Sequence, residues 1–271
     1  MCEVLAVSCS GYYESLKRGL STQARNNQAI DSQIVQIYTQ HHGRYGAPRI
    51  HKELEFMGKQ AGKNRVARRM QRLGLKALAK RKWKATTDSK HTLPVADNLL
   101  NRDFSANAPN QKWTTDITYV ATQEGWLYLA TVMDLYSRAI IGWSLHDRLA
   151  TPLVIEALEM ALWRRKFPKD VLVHSDRGSQ YCSHAYQALL REKGLICSMS
   201  RAGECWDNAA MESFYHSLKI ELIQFVTGFK TRPEAIKLIV EYIEDYYNTV
   251  RRHSAIDYRA PFVFELVHQA S

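Results

Sequence analysis

Long apolar runs and paired cysteines are scarce in this sequence of 271 residues. No stretch offers the roughly 20 consecutive apolar residues that a transmembrane helix needs, and the mean hydropathy is -0.36. The opening MCEVLAVSCSGYY is too short and too mixed for a signal peptide. The five cysteines are an odd number and form no CxxC pair. We therefore predict reduced thiols in a cytoplasmic protein that has no membrane partner.

The histidines also lack a metal-binding pattern. His41 and His42 are adjacent, and no cysteine pair lies at ligand spacing from them. Structural zinc sites usually combine four Cys or His ligands at short, regular spacings. We predict instead that both histidines lie in a solvated loop.

Acidic residues are scarce in the first 110 positions. Residues 1–110 hold 19 Lys and Arg against 8 Asp and Glu, whereas residues 111–271 hold 18 against 19. Between Ala61 and Lys84 there are ten basic residues and no acidic one. This clustering indicates a surface that binds a polyanion, with a merely solubilising surface as the alternative.

Helical periodicity marks the basic part of the chain. Apolar residues recur on one face over residues 30–41 and over residues 47–57, where Pro48 suits a first helical turn. The next segment, GKNRVARRMQRLGL, has an apolar stripe and an outer stripe of arginines at helical spacing. These arginines are Arg65, Arg68, Arg69 and Arg72. The pattern predicts a helix-turn-helix whose arginines bind DNA, at phosphates or at base edges.

The periodicity divides the chain into four parts. Residues 1–29 are predicted to be an N-terminal helical segment, either a short helix pair or a packing segment. Residues 30–83 form the helix-turn-helix region. Residues 84–104 lose the periodicity and are predicted to be a linker that ends in an extended lead-in. Residues 105–271 form the second domain.

The second domain alternates strands and helices. Strands are predicted at KWTTDITYVAT (112–122), WLYLATVMD (126–134), AIIGWSLH (139–146), VLVHSD (171–176) and LICSMS (195–200). Helices are predicted over residues 151–166 with Thr151 as cap, 184–194, and 207–223 with Asp207 as cap. The order predicts an α/β fold, a mixed five-stranded sheet flanked by helices, after a small all-α region.

Three acidic residues fall where these elements would bring them together. Asp116 lies in the first strand, Asp176 ends the fourth, and Glu212 lies early in the last helix, with 35 residues between the last two acids. If strands one and four are neighbours, the aspartates lie side by side. Grouped carboxylates repel one another unless cations lie between them. The sequence therefore predicts a site with two Mg²⁺ ions, suited to phosphodiester chemistry.

Other acids compete for this assignment. Asp134 ends the second strand, and Glu156 and Glu159 lie on a helix. A single Asp or Glu is more often a surface or hydrogen-bonded residue than a catalytic one. The interpretation rests on the joint placement of the three acids.

The motifs WTTDIT, HSDRGSQY and WDNAAMESFYHSLKIE resemble the Asp-Asp-Glu catalytic core of retroviral-type integrases. More closely, they resemble the second-frame product (OrfB) of bacterial IS-three family insertion-sequence transposases. RYGAPRI (44–50) and YNTVRRHSAIDYRAPFVFE (247–265) are similar to the same family. The resemblance covers nearly the whole chain. It implies an RNase H-like integrase core for residues 105–271, with a C-terminal helical extension.

The resemblance also implies functional residues. Asp116, Asp176 and Glu212 match the catalytic and metal-binding triad, with Mg²⁺ or Mn²⁺ as cofactor. Lys219, two helical turns after Glu212, is expected to hold a DNA phosphate; a solvated lysine is the alternative. Residues expected to support the site, with a core histidine or a helix cap as alternatives, are His174, Asn208 and His216. Residues that either touch DNA or form a charged turn are Arg251, Arg252 and His253.

The implied activity is nicking at transposon ends and attack of the freed 3′-OH on a second phosphodiester. The implied partners are terminal inverted repeats and target DNA, the upstream-frame product OrfA or an OrfA–OrfB fusion, and further copies of the chain on DNA. The expected location is the bacterial cytoplasm, at the nucleoid. Two rival functions stay open: a DNA-binding regulator or inhibitor of transposition, and a metal-dependent nuclease on the same fold.

Overall fold

The computed structural model describes residue 4 and residues 8–78, 94–201, 205–224, 226 and 228–269. The chain divides into two compact units, Met1–Ala79 and Lys80–Ser271. Within the described ranges, no helix has the length and apolar character that crossing a bilayer requires. Cys9, Cys182 and Cys197 are free thiols there.

The first unit is helical. Its helices are α1 (Cys9–Lys17), α2 (Thr22–Gln40), α3 (Ala47–Phe56) and α4 (Lys63–Arg72). Helix α2 begins eight residues earlier than predicted because Ser21 accepts a 3.1 Å hydrogen bond from the N–H of Ala24 and caps the helix. Helix α3 begins with Pro48 in its first turn, as predicted. The prediction of a helix-turn-helix region is confirmed by α3, a short turn and α4.

The prediction of two solvated histidines is wrong for His41. Its side chain is buried, and its ring stacks on Tyr45 with the ring centroids 3.7 Å apart. His41 Nε2 lies 3.8 Å from Glu53 Oε1 on α3. His42 is exposed, as predicted. The aromatic ring of His41 therefore serves the core of this unit, a role that adjacency of two histidines does not reveal.

The second unit is built on one five-stranded sheet in the described residues. Its strands are β1 (Lys112–Thr122), β2 (Gly125–Asp134), β3 (Ile140–His146), β4 (Leu172–Ser175) and β5 (Ile196–Met199). The order is β3-β2-β1-β4-β5, with antiparallel pairs β1–β2 and β2–β3 and parallel pairs β1–β4 and β4–β5. The mixed sheet of the sequence prediction is confirmed.

Helices cover both faces of the sheet. They are α5 (Thr151–Arg164), α6 (Ser179–Cys182), α7 (His184–Glu192), α8 (Ala209–Leu218), α9 (Arg232–Glu241) and α10 (Pro261–Gln269). Helices α5 to α7 bury one apolar cluster around Trp113 and Tyr186, and α8 and α9 bury another around Leu129 and Phe214. A Cβ on Gly142 of β3 would lie 2.1 Å from the Ala157 carbonyl oxygen of α5, so glycine permits this close approach.

Residues 94–104 belong to the second unit. Leu100 is 1% exposed and lies in the cluster under α8 and α9. The N–H groups of Leu99 and Leu100 donate hydrogen bonds of 2.9 and 3.1 Å to Ser198 Oγ on β5. Residues 84–93 of the predicted linker lie outside the described residues. The extended lead-in therefore contributes to the core instead of spanning a gap.

Two predicted helix starts are wrong. Helix α5 is preceded by Ala150 at the cap position, without a side-chain cap, whereas Thr151 is its first residue. The single helix predicted over 207–223 is instead a 3₁₀ turn at Cys205–Asn208, then α8, then a π-helical turn at Lys219–Ile223. Asp207 does not cap α8, because its carboxylate bonds to arginines.

Candidate active site

Asp116 and Asp176 lie side by side at the end of the parallel β1–β4 ladder. The ladder pairs Lys112 with Leu172 and ends with Thr114 opposite His174. The same register, extended by two residues, places Asp116 opposite Asp176. Both side chains are half-buried. The adjacency that the sequence left conditional therefore follows from the observed strand order.

The chain turns sharply after Asp176. The N–H of Gly178 donates a 2.9 Å hydrogen bond to Asp176 Oδ1, and Arg177 Nε donates one of 2.6 Å to the Ser200 carbonyl. A Cβ on Gly178 would lie 3.0 Å from that same Oδ1 atom. Glycine therefore allows the backbone to approach and orient the carboxylate.

The acids affect one another's ionisation. Burial and then the charge of Asp176 raise the pKa of Asp116 well above its usual range. Glu212 raises the pKa further, whereas the N–H of Ile117, which donates to Asp116 Oδ1 at 2.8 Å, and the charge of Lys219 lower it. The four charged groups therefore share one electrostatic site.

Glu212 approaches this site from α8. Met211 and Phe214 on the same helix are buried against the sheet, while the Glu212 side chain is largely exposed. Partial burial raises the pKa of Glu212. In the part of the chain that the structure describes, no three His, Cys, Asp or Glu side chains are grouped closely enough to hold a metal ion. Glu212 therefore lies within electrostatic range of Asp116.

Asn208 and Tyr215 anchor α8 to β1. Thr114 Oγ1 donates a 2.5 Å hydrogen bond to Asn208 Oδ1, and Asn208 Nδ2 donates one of 3.2 Å to the Thr115 carbonyl. Tyr215 Oη donates a 2.5 Å bond to the carbonyl of Asp116 itself. Asn208 stands at the cap position of α8 but makes no capping bond with its side chain. Thr114 and Tyr215 lie within the motifs WTTDIT and WDNAAMESFYHSLKIE, but the sequence analysis assigned neither residue a role.

Asp207 fastens the chain just before α8. Its carboxylate is buried and accepts hydrogen bonds from Arg201 Nη2 at 3.0 Å, Arg102 Nε at 2.6 Å and Asn98 Nδ2 at 2.9 Å. The hydrogen bond from Arg201 is the main reason why the pKa of Asp207 is far below its usual range. This cluster joins the lead-in segment to the start of the helix that carries Glu212.

His174 lies in the core next to the site. Its side chain is fully buried, and Nδ1 lies 2.9 Å from Ser198 Oγ on β5. Burial lowers its pKa to about 4, although Asp207 opposes the shift, so the ring is neutral at pH 7. These contacts fit a core histidine, which was the alternative to a residue that supports the site. The ring lies between β4 and β5, near Asp207. His216 is partly buried in the last turn of α8.

Lys219 reaches the acids from the end of α8. Its charge lowers the pKa of Asp116, and its Nζ lies 5.4 Å from the centroid of the Tyr119 ring. Burial lowers the pKa of Lys219 itself, whereas Tyr119 and Asp116 raise it. The structure thus brings this predicted residue to the site.

The competing acids have local partners. Asp134 is fully buried, accepts hydrogen bonds from the N–H groups of Asn110 and Tyr136, and lies opposite Trp113, near the start of β1. Glu156 accepts hydrogen bonds from Ser144 and His146. Glu159 is exposed on α5. The carboxylates that raise the pKa of Asp116 are instead those of Asp176 and Glu212, which favours the joint assignment of these three acids.

The arginines of α4 fall into two pairs. Arg65 Nη2 donates a 2.7 Å hydrogen bond to Asn27 Oδ1 on α2. Arg69 forms an ion pair with Asp31, also on α2, through two hydrogen bonds. Arg68 and Arg72 are exposed. The inner pair fastens α4 to α2, whereas the outer pair faces solvent.

Arg251 lies in the core of the second unit. It is 3% exposed and donates hydrogen bonds of 2.8 and 2.7 Å to the buried carboxylate of Glu221. Arg252 donates a 3.3 Å hydrogen bond to the Tyr258 carbonyl. The sequence left two alternatives for these residues, contact with DNA or a charged turn. For Arg251, contact with DNA is wrong, because its guanidinium is buried and paired with Glu221.

Comparisons with known proteins agree with this architecture. Family models match residues 25–83 as an HTH-like domain, and residues 106–205 and 193–261 as two forms of an integrase core domain. The chain is 48% identical over 267 residues to Transposase InsF for insertion sequence IS3A of Escherichia coli (strain K12), covering 98% of this chain and 92% of that protein.

A second relative comes from Shigella sonnei. The insertion element IS600 uncharacterized 31 kDa protein is 44% identical over 270 residues, which is 99% of each chain. Among solved structures, the HTLV-2 integrase catalytic core domain in complex with magnesium aligns with a TM-score of 0.46 and 15% identity, over 59% of this chain and 99% of that one. The assignment of a family rests on the sequence relatives and the family models.

Proposed function

Because this chain belongs to the InsF-type transposases of IS3 insertion sequences and is therefore a DNA transposase, we propose that Asp116, Asp176 and Glu212 carry out its chemistry. The activity is nicking at transposon ends, followed by transfer of the freed 3′-OH to a second phosphodiester. The observation that carries the proposal is the shared electrostatic site: burial, Asp176 and Glu212 together raise the pKa of Asp116.

The donor set fits Mg²⁺ or Mn²⁺, because these ions prefer carboxylate oxygens. Burial raises the pKa of Asp116 most, and the charges of Asp176 and Glu212 raise it further, so a bound cation would favour the ionised carboxylate. Asp116 and Asp176 would hold the metal, and rotation of the exposed Glu212 side chain would add a third carboxylate. Two bound ions would supply activation of the attacking oxygen and stabilisation of the leaving oxygen.

The remaining side chains position the reactants. Lys219 holds a phosphate of the DNA strand next to the acids, since an ammonium group suits a phosphate as a point charge. Asn208 and Tyr215 keep α8 against β1, so that Glu212 stays opposite the aspartates. The hydrogen bond from the Gly178 N–H keeps the Asp176 carboxylate facing the reactants.

Binding to DNA ends falls to the helix-turn-helix. The outer arginines of α4, Arg68 and Arg72, contact the DNA, and the inner pair keeps α4 in place. Joining needs two DNA ends at once, so several copies of the chain act together in the bacterial cytoplasm, at the nucleoid. The upstream-frame product OrfA, alone or fused to this chain, completes the recognition of the terminal repeats.

A strand-transfer assay tests this proposal. Cells carry the gene with its native upstream frame and flanking DNA, and joined transposon ends are amplified. We expect joined ends from the wild type and none from Asp116→Asn, Asp176→Asn or Glu212→Gln. The matched control is Glu159→Gln, an exposed acid on α5, which retains joining. Joined ends from the Asp176→Asn protein would overturn the triad.

The same assay, with purified protein and labelled ends, separates the rival functions. A nuclease would cut the ends without joining them. A regulator would bind the ends, and neither cutting nor joining would depend on the acids. Cutting and joining that are lost together in the Asp176→Asn protein, with binding retained, would exclude both rivals.

A further inference from the structure

An exposed aromatic pair lies on the sheet beyond Asp116 and has no part in the chemistry proposed above. Tyr119 on β1 is 40% exposed and Trp126 on β2 is 50% exposed. Their rings meet edge to face, with centroids 5.0 Å apart and planes at 87°. Trp126 is paired with Ala121, which shares a strand face with Tyr119. Both rings therefore lie on one face of the hairpin.

Two cations lie near this pair. Lys219 Nζ lies 5.4 Å from the Tyr119 ring centroid. Arg232 Nε donates a 3.3 Å hydrogen bond to the backbone carbonyl of Trp126. Aromatic rings interleaved with basic groups are the arrangement with which proteins hold single-stranded nucleic acid: bases stack on the rings and phosphates contact the cations.

The pair lies close to the reacting groups. Two strand residues separate Tyr119 from Asp116, and the three residue steps between them span about 10 Å along β1. Strand alternation directs these two side chains to opposite faces, yet Lys219 acts on both: it lowers the pKa of Asp116 and lies over the Tyr119 ring.

The edge of the sheet explains how one lysine reaches both faces. Strand β4 ends at Ser175, and in the described residues the ladder between β1 and β4 stops at Thr114. Within those residues, the later part of β1 has on that side only a bridge from Thr122 to Phe229. A DNA strand held at the acids can therefore pass this open edge toward the aromatic pair.

We propose that Tyr119 and Trp126 form a stacking site for an unpaired DNA base beside the scissile phosphate, with Lys219 and Arg232 contacting the phosphates that flank it. The proposal rests on the proposed function and adds to it a requirement for local opening of the duplex. A base inside a duplex is stacked on its neighbours and cannot also stack on a protein ring, so the end of the transposon must be unpaired there.

Equilibrium binding to two DNA probes tests the stacking site. The full chain is mixed, without divalent metal, with a blunt 20-base-pair duplex or with the same duplex ending in three unpaired thymidines. Loss of one stacked base weakens binding about 5- to 150-fold. We expect Trp126→Leu and Tyr119→Leu to lose about that factor on the unpaired probe and less than about twofold on the blunt duplex.

Conservative and distant variants control for misfolding. Trp126→Phe and Tyr119→Phe keep a ring and should retain most of the preference for the unpaired end. Trp163→Leu removes a tryptophan that is 74% exposed on α5 and should change neither affinity. Equal losses on both probes, or no loss on the unpaired one, would overturn the stacking site.

A spectroscopic readout keeps this test separate from catalysis. With 2-aminopurine at the unpaired position, stacking on the wild-type protein quenches its fluorescence, and Trp126→Leu should restore the signal. Because no metal is present, no strand is cut, so the result does not depend on the triad. A failed strand-transfer assay with intact quenching would refute the catalytic proposal alone, whereas active protein without quenching would refute the stacking site alone.

Discussion

Thr114 on β1 donates a 2.5 Å hydrogen bond to Asn208, which is 94 residues further along the chain and directly precedes α8. Both side chains are buried. The bond connects the strand that carries Asp116 to the helix that carries Glu212. The relative position of Asp116 and Glu212, two of the three proposed catalytic acids, therefore depends on this neutral pair.

Replacing Asn208 should slow strand transfer without weakening DNA binding. Asn208→Ala removes the bonds to Thr114 and to the Thr115 carbonyl, and a displacement of about 1 Å can cost roughly 100-fold in rate. We expect a fall of about 10- to 100-fold in the joining rate, measured in single-turnover reactions. Thr114→Val should act through the same bond, so the double variant should lose little more than either single one. Ser213→Ala, on an exposed part of α8, should have no effect.

Divalent metal should stabilise the folded protein through the two aspartates. A ligand that binds only the folded state adds about 2.7 kcal/mol at 100 times its Kd. We expect Mg²⁺ to raise the Tm of the wild type, measured by calorimetry, and to have little effect on Asp116→Asn or Asp176→Asn. Without metal, Asp116→Asn should melt higher than the wild type, because the mutual repulsion of the acids is gone. An unchanged response to Mg²⁺ in Asp176→Asn would exclude that residue as a ligand.

The two arginine pairs of α4 should behave differently in DNA binding. Removing a phosphate contact reduces the salt slope of log K by about 0.9. Arg68→Ala with Arg72→Ala should therefore weaken binding and lower the slope by about 2. Arg65→Ala with Arg69→Ala should mainly lower the melting temperature, because their partners are Asn27 and Asp31. A larger loss of slope in the inner pair would reverse this assignment.

Asp134 should make stability depend on pH. Burial raises its pKa to about 6, although the Asn110 N–H and Arg165 oppose the shift. The folded state thus binds the proton more tightly than the unfolded state, so this contribution is complete below about pH 4 and is lost as the pH rises through about 6.

The matching measurement compares the wild type with Asp134→Asn, which cannot ionise. The difference in free energy of unfolding, wild type minus variant, should fall by at most about 3 kcal/mol between about pH 4 and pH 7. Urea titrations at both pH values measure it. A difference that rises with pH would contradict the shifted pKa.

The Glu221–Arg251 pair should matter for stability, since both groups are buried. Removing one partner of a buried ion pair leaves the other charge uncompensated and costs about 3–5 kcal/mol. We expect Arg251→Met to lose that amount in urea unfolding. Lys237→Met, at an exposed lysine 3.9 Å from Glu241, should stay within about 0.5 kcal/mol of the wild type. A small loss in Arg251→Met would indicate that the pair is solvated.

Local pattern predicted the secondary structure well where one face of an element is buried. Strand β1 spans the residues that alternation indicated, 112–122, because its side chains alternate between two covered faces. The residue pattern did not predict how the last predicted helix, 207–223, ends. The π-helical turn at Lys219–Ile223 places Glu221 opposite Arg251, a partner 30 residues away that no local signal announces.

Side-chain partners were the weakest part of the sequence interpretation. Asp207 has the position and residue type of a helix cap, but its carboxylate accepts hydrogen bonds from Arg102 and Arg201 instead. Arg69 has the spacing of a DNA-facing residue, but Asp31 binds it. In each case a contact between segments far apart in sequence outweighed a local preference.

The sequence by itself determined the class of fold and the helix-turn-helix, and it predicted three candidate acids, because periodicity and residue type are local properties. Only the tertiary structure decided which strands are neighbours, and hence that Asp116 and Asp176 share one electrostatic site. It also decided that Lys219 lies near both Asp116 and the Tyr119 ring, because β4 ends early and leaves the edge of β1 open. Strand order and edge exposure arise from packing of the whole chain, which no single segment encodes.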